Sequence, residues 1–511
     1  MKRAFNIVCR GSWLSLAQAE IFKKKVLQYY PGVTLNIVIK QTAGDKNQST
    51  PLHLVEGKDF FTKEIQESLR NGEADFALHS MKDVSSEDFF QNSEYAIIER
   101  DHLNDVAIFN ADVLEKLKNG NKIVIGTSSP RRTNMATAFL QKALPQYGDT
   151  EIEIEAIPVR GNVDTRLKKL NEGQYDGLIL AIAGLNRLLR YDASKETVQG
   201  LLSGKKIMVL PLFECPPAAG QGAIVAETTA DNYPAIELLQ KIKDAQLTKA
   251  IEQEREYAYR YGFGCSQQFG VFHLDLPGIS FTYASGKDRD AEAFTEWDFK
   301  VELDADDKQI FSSAEYMKEF FEYEFLNDAA INEKTEAVFV ASHKAVHSAS
   351  IKRAIEHKRV WVAGTKTWFS LAKQDIWVEG CADGIGLEWL QSLWNTPLNS
   401  IEKNDVLILT NTKSSLNWKK DGWKATGSYQ LIPVFSKTIA DEIAKADILF
   451  WTSFQQYTQY KLFVKENAVQ CCPAGKTVQL LIKEGIQPIV FPGIKAFNEW
   501  RVKYTIVTEK G

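Results

Sequence analysis

The sequence predicts a multidomain α/β protein, and three observations carry that prediction. At about 150 residues per domain, 511 residues imply three or four domains. The composition, 44% hydrophobic and 25% charged, is that of a globular chain rather than a disordered or fibrous one. The first two hundred or so residues repeat one unit: a short apolar strand, a polar loop and an amphipathic helix, the pattern of parallel sheets covered by helices.

Phe5–Cys9 is the first strand, Arg10-Gly11-Ser12 its loop, and Trp13 to Tyr30 has helical periodicity with Ser12 as cap. Phe61, Ile65 and Leu69 fall on one helical face closed by Gly72, and Ala74–Leu78 is the next strand. Lys122–Ile125 follows, and Gly126-Thr127-Ser128-Ser129 leads into a helix with Pro130 near its first position. Glu151–Val159 alternates, breaks at Arg160-Gly161, and a helix containing Arg166 comes next. Gly177–Ala181 is a buried strand, and Gly184 to Leu189 starts another helix. From about 230 the texture becomes acidic and aromatic, with a helix around Glu252–Tyr261 and antiparallel strands up to about Glu324. Asn327–Lys334 is polar and reads as a linker. Beyond it lies a faint duplication: the strand Glu336–Ser342 precedes a helix opened by Thr367, and the strand Asp447–Ser453 precedes one running from Thr477 to Gly485. Two similar α/β halves around a cleft account for it.

Charge and termini exclude several classes. Lys+Arg 61 against Asp+Glu 66 gives a net charge of −5, so no global basic field draws the chain to nucleic acid. Met1 to Asn6 lacks the apolar core of a signal peptide, and no stretch approaches the ~20 apolar residues of a membrane span. Six scattered cysteines form no disulfide framework. A cytoplasmic protein is expected, without membrane or nucleic-acid partners.

Arg10, Arg131, Arg132, Arg160, Arg166 and Arg187 all stand just after predicted strands, where open α/β sheets bind ligands. One such arginine is most simply a solvated surface residue. Six converging on one crevice would repel one another unless a polyanion filled it, and their planar forks suit carboxylates. Ser128 and Ser129, at a helix mouth, add hydroxyls and backbone N–H groups. Lys82-Asp83 sits in the same tier of loops; neighbouring cations favour a charged carboxylate, which can stabilise a cation or move a proton, although a surface ion pair fits the spacing equally. Cys265 lies in the glycine-rich loop Gly262-Phe263-Gly264-Cys265-Ser266; it reads either as a nucleophile or attachment point, or as a free structural cysteine. Cys471-Cys472 read as core, and His343 and His347 as a solvated helix face without a third ligand, so no metal site is expected.

Arg10-Gly-Ser12, His79-Ser-Met-Lys82-Asp83-Val84, Gly126-Thr-Ser-Ser-Pro-Arg131-Arg132, Arg160-Gly161-Asn-Val-Asp-Thr-Arg166, Ala181-Ile-Ala-Gly-Leu-Asn-Arg187, Pro217-Ala-Ala-Gly-Gln-Gly-Ala223 and Gly264-Cys265 occur together and in order. Over roughly residues 4 to 325 the chain thereby resembles the hydroxymethylbilane synthase, or porphobilinogen deaminase, family. The resemblance implies two periplasmic-binding-protein-like α/β domains, 1–103 with 209–228 and 104–208, and a small α/β domain, 229–325, carrying the cofactor cysteine. It implies one dipyrromethane cofactor held covalently on Cys265, four porphobilinogen units joined head to tail with loss of ammonia, and a monomer. Ser12, Lys82, Asp83, Ser128, Arg131, Arg132, Arg160, Gly161 and Arg166 would bind the cofactor; Arg10, Lys58, Phe61, Arg160, Arg166 and Arg187 would bind substrate. Asp83, Lys82 and Arg10 would be the catalytic groups, with Asp83 facing the electron-poor azafulvene left when ammonia departs. One departure is Leu54, where the family usually has a lysine four residues before Lys58.

Residues 335–511 are similar, more faintly, to uroporphyrinogen-III synthase, on Val340-Ala-Ser342, Asp405–Leu409, Ile448–Ser453 and Thr477 to Gly485. That resemblance implies a two-lobed α/β domain that closes the linear tetrapyrrole, with Ser342, Ser453 and Thr477 as polar candidates. Against the family pattern, an opening strand and helix are missing before 336, Phe435 replaces a tyrosine and Ala474 a glycine. The alternatives are a deaminase whose last third only binds or scaffolds, and, from another class, a ligand-binding protein, which would need neither Cys265 nor Asp83.

Overall fold

Phe5, Ile7 and Cys9 point to one side of strand β1 (Ala4–Arg10) and Val8 to the other, and all four are buried. A strand apolar on both faces needs helices on both. On one side the helix Trp13–Tyr29 lays Ala19, Phe22 and Val26 against Phe5 and Phe76, with the Phe22 and Phe76 rings 5.1 Å apart. On the other, Ile65 and Leu69 of the helix Lys63–Arg70 cover Val8 and Ala77. Each of the larger side chains, Val, Leu, Ile or Phe, contributes about 1.5–3 kcal/mol on leaving water. Ser12 caps the first helix by accepting from the Ser15 amide at 3.3 Å.

The computed structural model describes residues 4–42, 62–84, 90, 93–148, 150–262, 267–326 and 329–505. They form two compact units. The first contains two five-stranded sheets. One has the order β2-β1-β3-β10-β4, with β2 Thr34–Lys40, β3 Phe76–Ser80, β4 Ser93–Arg100 and β10 Ala223–Thr229. The other has the order β7-β6-β8-β5-β9, with β5 Asp105–Phe109, β6 Ile123–Gly126, β7 Ile154–Ile157, β8 Gly177–Ala181 and β9 Lys206–Val209. The chain therefore crosses between the sheets twice, once after β4 and once after β9.

The sheets are mixed rather than parallel throughout, which corrects the expectation from the strand–helix alternation. β1 runs parallel to β2 and β3, but β10 is antiparallel to β3 and β4, and β5 to β8 and β9. The reversed strand in each sheet is the first one after a crossing. A chain that leaves one sheet at the carboxyl end of its strand and passes straight into the next must enter at the carboxyl ends there, and so runs against its neighbours. This reversal brings Asp105, opposite Ala181, and Ala223 into the tier of strand-end loops.

Further along, the helix Ala245–Tyr261 stops at Gly262, whose φ of +126° suits glycine, and the sheet β11 (Gln268–Leu276), β12 (Ile279–Lys287), β13 (Ala293–Phe299) follows. Tyr257 and Ala258 pack on Phe269, Val271 and Ala284, and Tyr261 stacks on Phe294 at 4.0 Å.

The second unit is α/β in two lobes. A six-stranded sheet has the order β15-β20-β19-β16-β17-β18, with β15 Phe321–Phe325, β16 Ala337–Val340, β17 Arg359–Val362, β18 Val378–Cys381, β19 Val406–Asn411 and β20 Lys424–Pro433. A four-stranded sheet has the order β14-β21-β22-β23, with β14 Ile310–Ser312, β21 Ile448–Phe450, β22 Val469–Pro473 and β23 Ile489–Phe491. The duplication is visible in the consecutive runs β16-β17-β18 and β21-β22-β23. An opening strand is present after all: β14 pairs in parallel with β21, and β15 pairs antiparallel with β20. Both precede residue 326, so the C-terminal sheets reach back into the span expected for the cofactor-carrying domain. A three-residue strand has no periodicity to reveal it. His343 and His347 share no helix; His347 Nε2 lies 3.0 Å from the Ser428 carbonyl and its ring 4.6 Å from that of Phe325. Among the described residues no helix is long and apolar enough to cross a membrane.

Candidate active site in the first unit

β3 ends at Ser80, which accepts from Gln18 Nε2 at 2.8 Å, and the chain turns through Met81–Asp83. Met81 is fully buried beneath Gly220, where φ is +72° and a Cβ would stand 2.7 Å from Met81 Cγ. With Met81 pinned inward, Lys82 and Asp83 project outward and are exposed.

Across from them, Pro130 opens the helix Pro130–Ala143, and Arg131 and Arg132 occupy its first turn. Both arginines are buried on one carboxylate: Asp105 takes Arg131 Nη2 at 2.8 Å, and Arg132 Nη2 and Nε at 2.8 and 3.1 Å. Gln221 Nε2 adds a further bond to Asp105 at 2.9 Å, and Nη1 of Arg131 and of Arg132 donates to the carbonyls of Pro216 and Ile179 respectively. Burial alone would raise the Asp105 carboxyl, but Arg131 and Arg132 outweigh it and hold it well below the usual carboxylate range.

The loop after β7 supplies the other cations. Gly161 adopts φ +110°, and a Cβ there would fall 2.8 Å from Thr165 Cγ2, so glycine is required. Its carbonyl accepts from Arg166 Nε at 2.8 Å, while the Arg160 carbonyl accepts from Lys169 at 3.1 Å. Ser128 is used structurally: its hydroxyl donates to the Val159 carbonyl at 2.6 Å and accepts from the Val159 amide at 3.0 Å, tying the loops after β6 and β7 together.

The fields of these side chains reach one another. Crowding by protein and then the fields of Arg132 and Arg160 push the Arg166 guanidinium down to about 10, against the pull of Asp83. The Lys82 ammonium falls to about 8, first through burial and then through Arg132 and Arg131, while Asp83 and Asp105 oppose the shift. Lys82 nevertheless keeps a solvent-facing side, from which an anion can reach it. Five cations (Lys82, Arg131, Arg132, Arg160, Arg166) thus meet two carboxylates, and the excess positive charge favours a ligand with several carboxylates.

The remaining sequence candidates are dispersed. Arg10 anchors its loop through its amide, which donates to Ser15 Oγ at 3.1 Å, and Ser12 serves as the helix cap. Arg187 is only 3% exposed; its guanidinium donates to the Gly222 carbonyl at 2.5 Å and lies 3.7 Å from Glu99, so it braces the second crossing. Lys58, Phe61 and Cys265, like Leu54, lie outside the described residues. In the second unit Ser342 belongs to the six-stranded lobe, and together with Asn411 it hydrogen-bonds the Tyr429 phenol, which burial raises. Ser453 and Thr477 belong to the four-stranded lobe: Ser453 forms a capping box with Gln456, and Thr477 stands in the first turn of the helix Lys476–Lys483. Gly475, with φ +112°, makes the turn that precedes this helix, beside the buried Ala474. Phe435 is 61% exposed and stacks on Tyr460 at 5.9 Å. Sequence reasoning missed Asp105, which has no motif of its own; Gln221 lay within a quoted motif but was given no role.

A family model described as "Porphobilinogen deaminase, dipyromethane cofactor binding domain" matches residues 5–237. Porphobilinogen deaminase of Geobacter sulfurreducens is 36% identical over 277 residues, which cover 54% of this chain and 79% of that protein. The probable porphobilinogen deaminase of Pyrobaculum islandicum is 34% identical over 282 residues, covering 55% of this chain and 86% of that protein. Among solved structures, uroporphyrinogen-III synthetase from Helicobacter pylori is similar at 16% identity and a TM-score of 0.24, covering 36% of this chain and 90% of that one.

Proposed function

This chain belongs to the porphobilinogen deaminase family, and from that premise we propose that its first unit joins four porphobilinogen molecules head to tail into hydroxymethylbilane. The observation that carries the reading is the cluster in which Lys82 feels Arg131 and Arg132, Arg166 feels Arg132 and Arg160, and the field of Asp83 reaches both Lys82 and Arg166. Each pyrrole of the growing chain brings an acetate and a propionate, so the ligand is a polycarboxylate and the excess of cations fits it.

The matched region is the domain that binds the dipyrromethane cofactor, and the donor set fits that group. Arg131, Arg132, Arg160, Arg166 and Lys82 would hold its carboxylates, with the Cys265 thiol as its attachment point. When bound, the cofactor supplies the free pyrrole end from which the chain grows. Asp83 stabilises the positive charge that develops on the incoming pyrrole as its C–N bond breaks and ammonia leaves. It then accepts the proton released when the new carbon–carbon bond restores the ring. Arg10 binds the carboxylates of the incoming unit from the end of β1, held there by the bond from its amide to Ser15 Oγ.

The second unit supports a further step, closure of the linear tetrapyrrole to uroporphyrinogen III. Its two α/β lobes, with Ser342 on one and Ser453 and Thr477 on the other, favour this reading over a purely scaffolding role. The test for both units is to supply the purified chain with porphobilinogen, oxidise the products and separate the uroporphyrin isomers. Isomer III as the main product establishes both steps; isomer I alone leaves a deaminase with a non-catalytic C-terminal unit. No consumption of porphobilinogen overturns the whole reading and favours a ligand-binding protein.

A further inference from the structure

Asp105 is the point at which three separate parts of the chain meet. It opens β5, immediately after the first crossing between the sheets. Arg131 and Arg132 come from the helix after β6, and Gln221 from the second crossing. Gln221 Nε2 also donates to the Leu103 carbonyl at 2.7 Å, so one amide side chain clips both crossings together at this carboxylate. Asp105 itself is 1% exposed, which keeps it away from bulk solvent and from direct contact with a large ligand.

We propose that Asp105 is a positioning residue, which aims the Arg131 and Arg132 guanidiniums at the carboxylates of the bound pyrrole chain and ties that aim to the two crossings. The two arginines occupy adjacent helical positions, which by themselves would send their side chains about 100° apart around the axis. A shared carboxylate with two oxygens and four lone-pair sites draws both to one side. One negative charge against two positive ones also leaves a net cation in place for the ligand.

The proposal rests on the deaminase reading, and its test separates the two. In the full-length chain, Asp105→Asn keeps size and the Gln221 bond but removes the charge. Asp105→Glu keeps the charge and displaces it by one methylene. Both variants are expected to lower kcat by about a hundredfold, the cost of a roughly 1 Å misplacement, while KM for porphobilinogen changes less than threefold, because the arginines hold the growing chain rather than the incoming unit. The charged groups whose fields reach Lys82 are Arg131, Arg132, Asp83 and Asp105, and Asp105 supports its protonated form. Asp105→Asn should therefore move the alkaline limb of the pH–rate profile to lower pH, and Asp105→Glu should leave it in place. A merely structural role would lower melting temperature and activity together in both variants, without the split between kcat and KM, and that result overturns the proposal. Should both variants fail to fold, Gln221→Met removes only the clip; unchanged kcat there overturns it equally. If the wild-type chain does not consume porphobilinogen, the deaminase reading fails alone. Phenylglyoxal labelling then decides about Asp105: Arg131 and Arg132 should react several-fold faster in Asp105→Asn, and equal rates sink the idea.

Discussion

Glu254 and Arg100 form a buried fork: Oε1 and Oε2 take Nη1 and Nη2 at 2.8 and 2.9 Å, with side chains 0% and 6% exposed. The carboxylate is completed by the amides of Gly220 and His273, at 2.8 and 2.9 Å. The pair fastens the helix Ala245–Tyr261 to the end of β4 and to the second crossing. Removing one partner strands the other charge in a dry interior. Glu254→Ala is therefore expected to destabilise the first unit by about 3–5 kcal/mol, read from its transition in a denaturant melt. A loss below 1 kcal/mol would contradict the geometry.

Lys82 makes a pH prediction. Its ammonium titrates near 8, so it is charged below that pH and increasingly neutral above it. A carboxylate ligand prefers the charged form; its affinity should be full below about pH 8 and fall as the pH rises further. Arginine stays protonated throughout this range, so Lys82→Arg should flatten the alkaline decline. Measuring kcat with porphobilinogen across pH for both proteins checks this, and parallel profiles would refute it.

Asp83→Asn preserves shape while removing the charge and the proton acceptor. Folding and cofactor attachment should survive, with turnover reduced by about 10²–10⁴-fold. Ammonia release per enzyme is the readout, and a residual rate above one tenth would remove Asp83 from its role.

Cys265→Ser should prevent covalent cofactor attachment. Intact-mass spectrometry of the wild-type chain should then give the sequence mass plus two pyrrole units, and the variant the sequence mass alone. An active wild-type enzyme without added mass would exclude the cysteine.

Phe435→Tyr adds a hydroxyl to a ring that is 61% exposed, so the fold should tolerate it. If that position limits ring closure in the second unit, the share of isomer III should rise. An unchanged isomer ratio would separate Phe435 from the chemistry.

Much of this was legible in the sequence because it is local. The loops at Arg10, Ser128 and Arg160 each follow a short apolar run and precede a periodic helix, so their shared tier follows from the alternation alone. Glycines 161 and 220 sit where a Cβ would collide, and both fall within the quoted motifs. What was illegible depends on distant partners. Asp105 is an isolated acid between two crossings, and nothing nearby in sequence records that residues 131, 132 and 221 converge on it. The antiparallel course of β5 and β10 was hidden for the same reason, since direction is set by where the chain enters a sheet. β14 escaped because its three residues gain their partner only from β21, far along the chain.

The paired crossings have a mechanical consequence. The amide of Asp101 donates to the carbonyl of Gly222 at 3.1 Å, so the outgoing and returning segments lie side by side. One strap between two bodies would let them twist and slide; two adjacent straps work like the two pins of a door, leaving a swing about one line and resisting rotation in any other sense. Were the first unit to lengthen its proposed product one ring at a time, room for each ring would come from widening the angle of that door, with the frame carrying Arg131 and Arg132 close to the hinge.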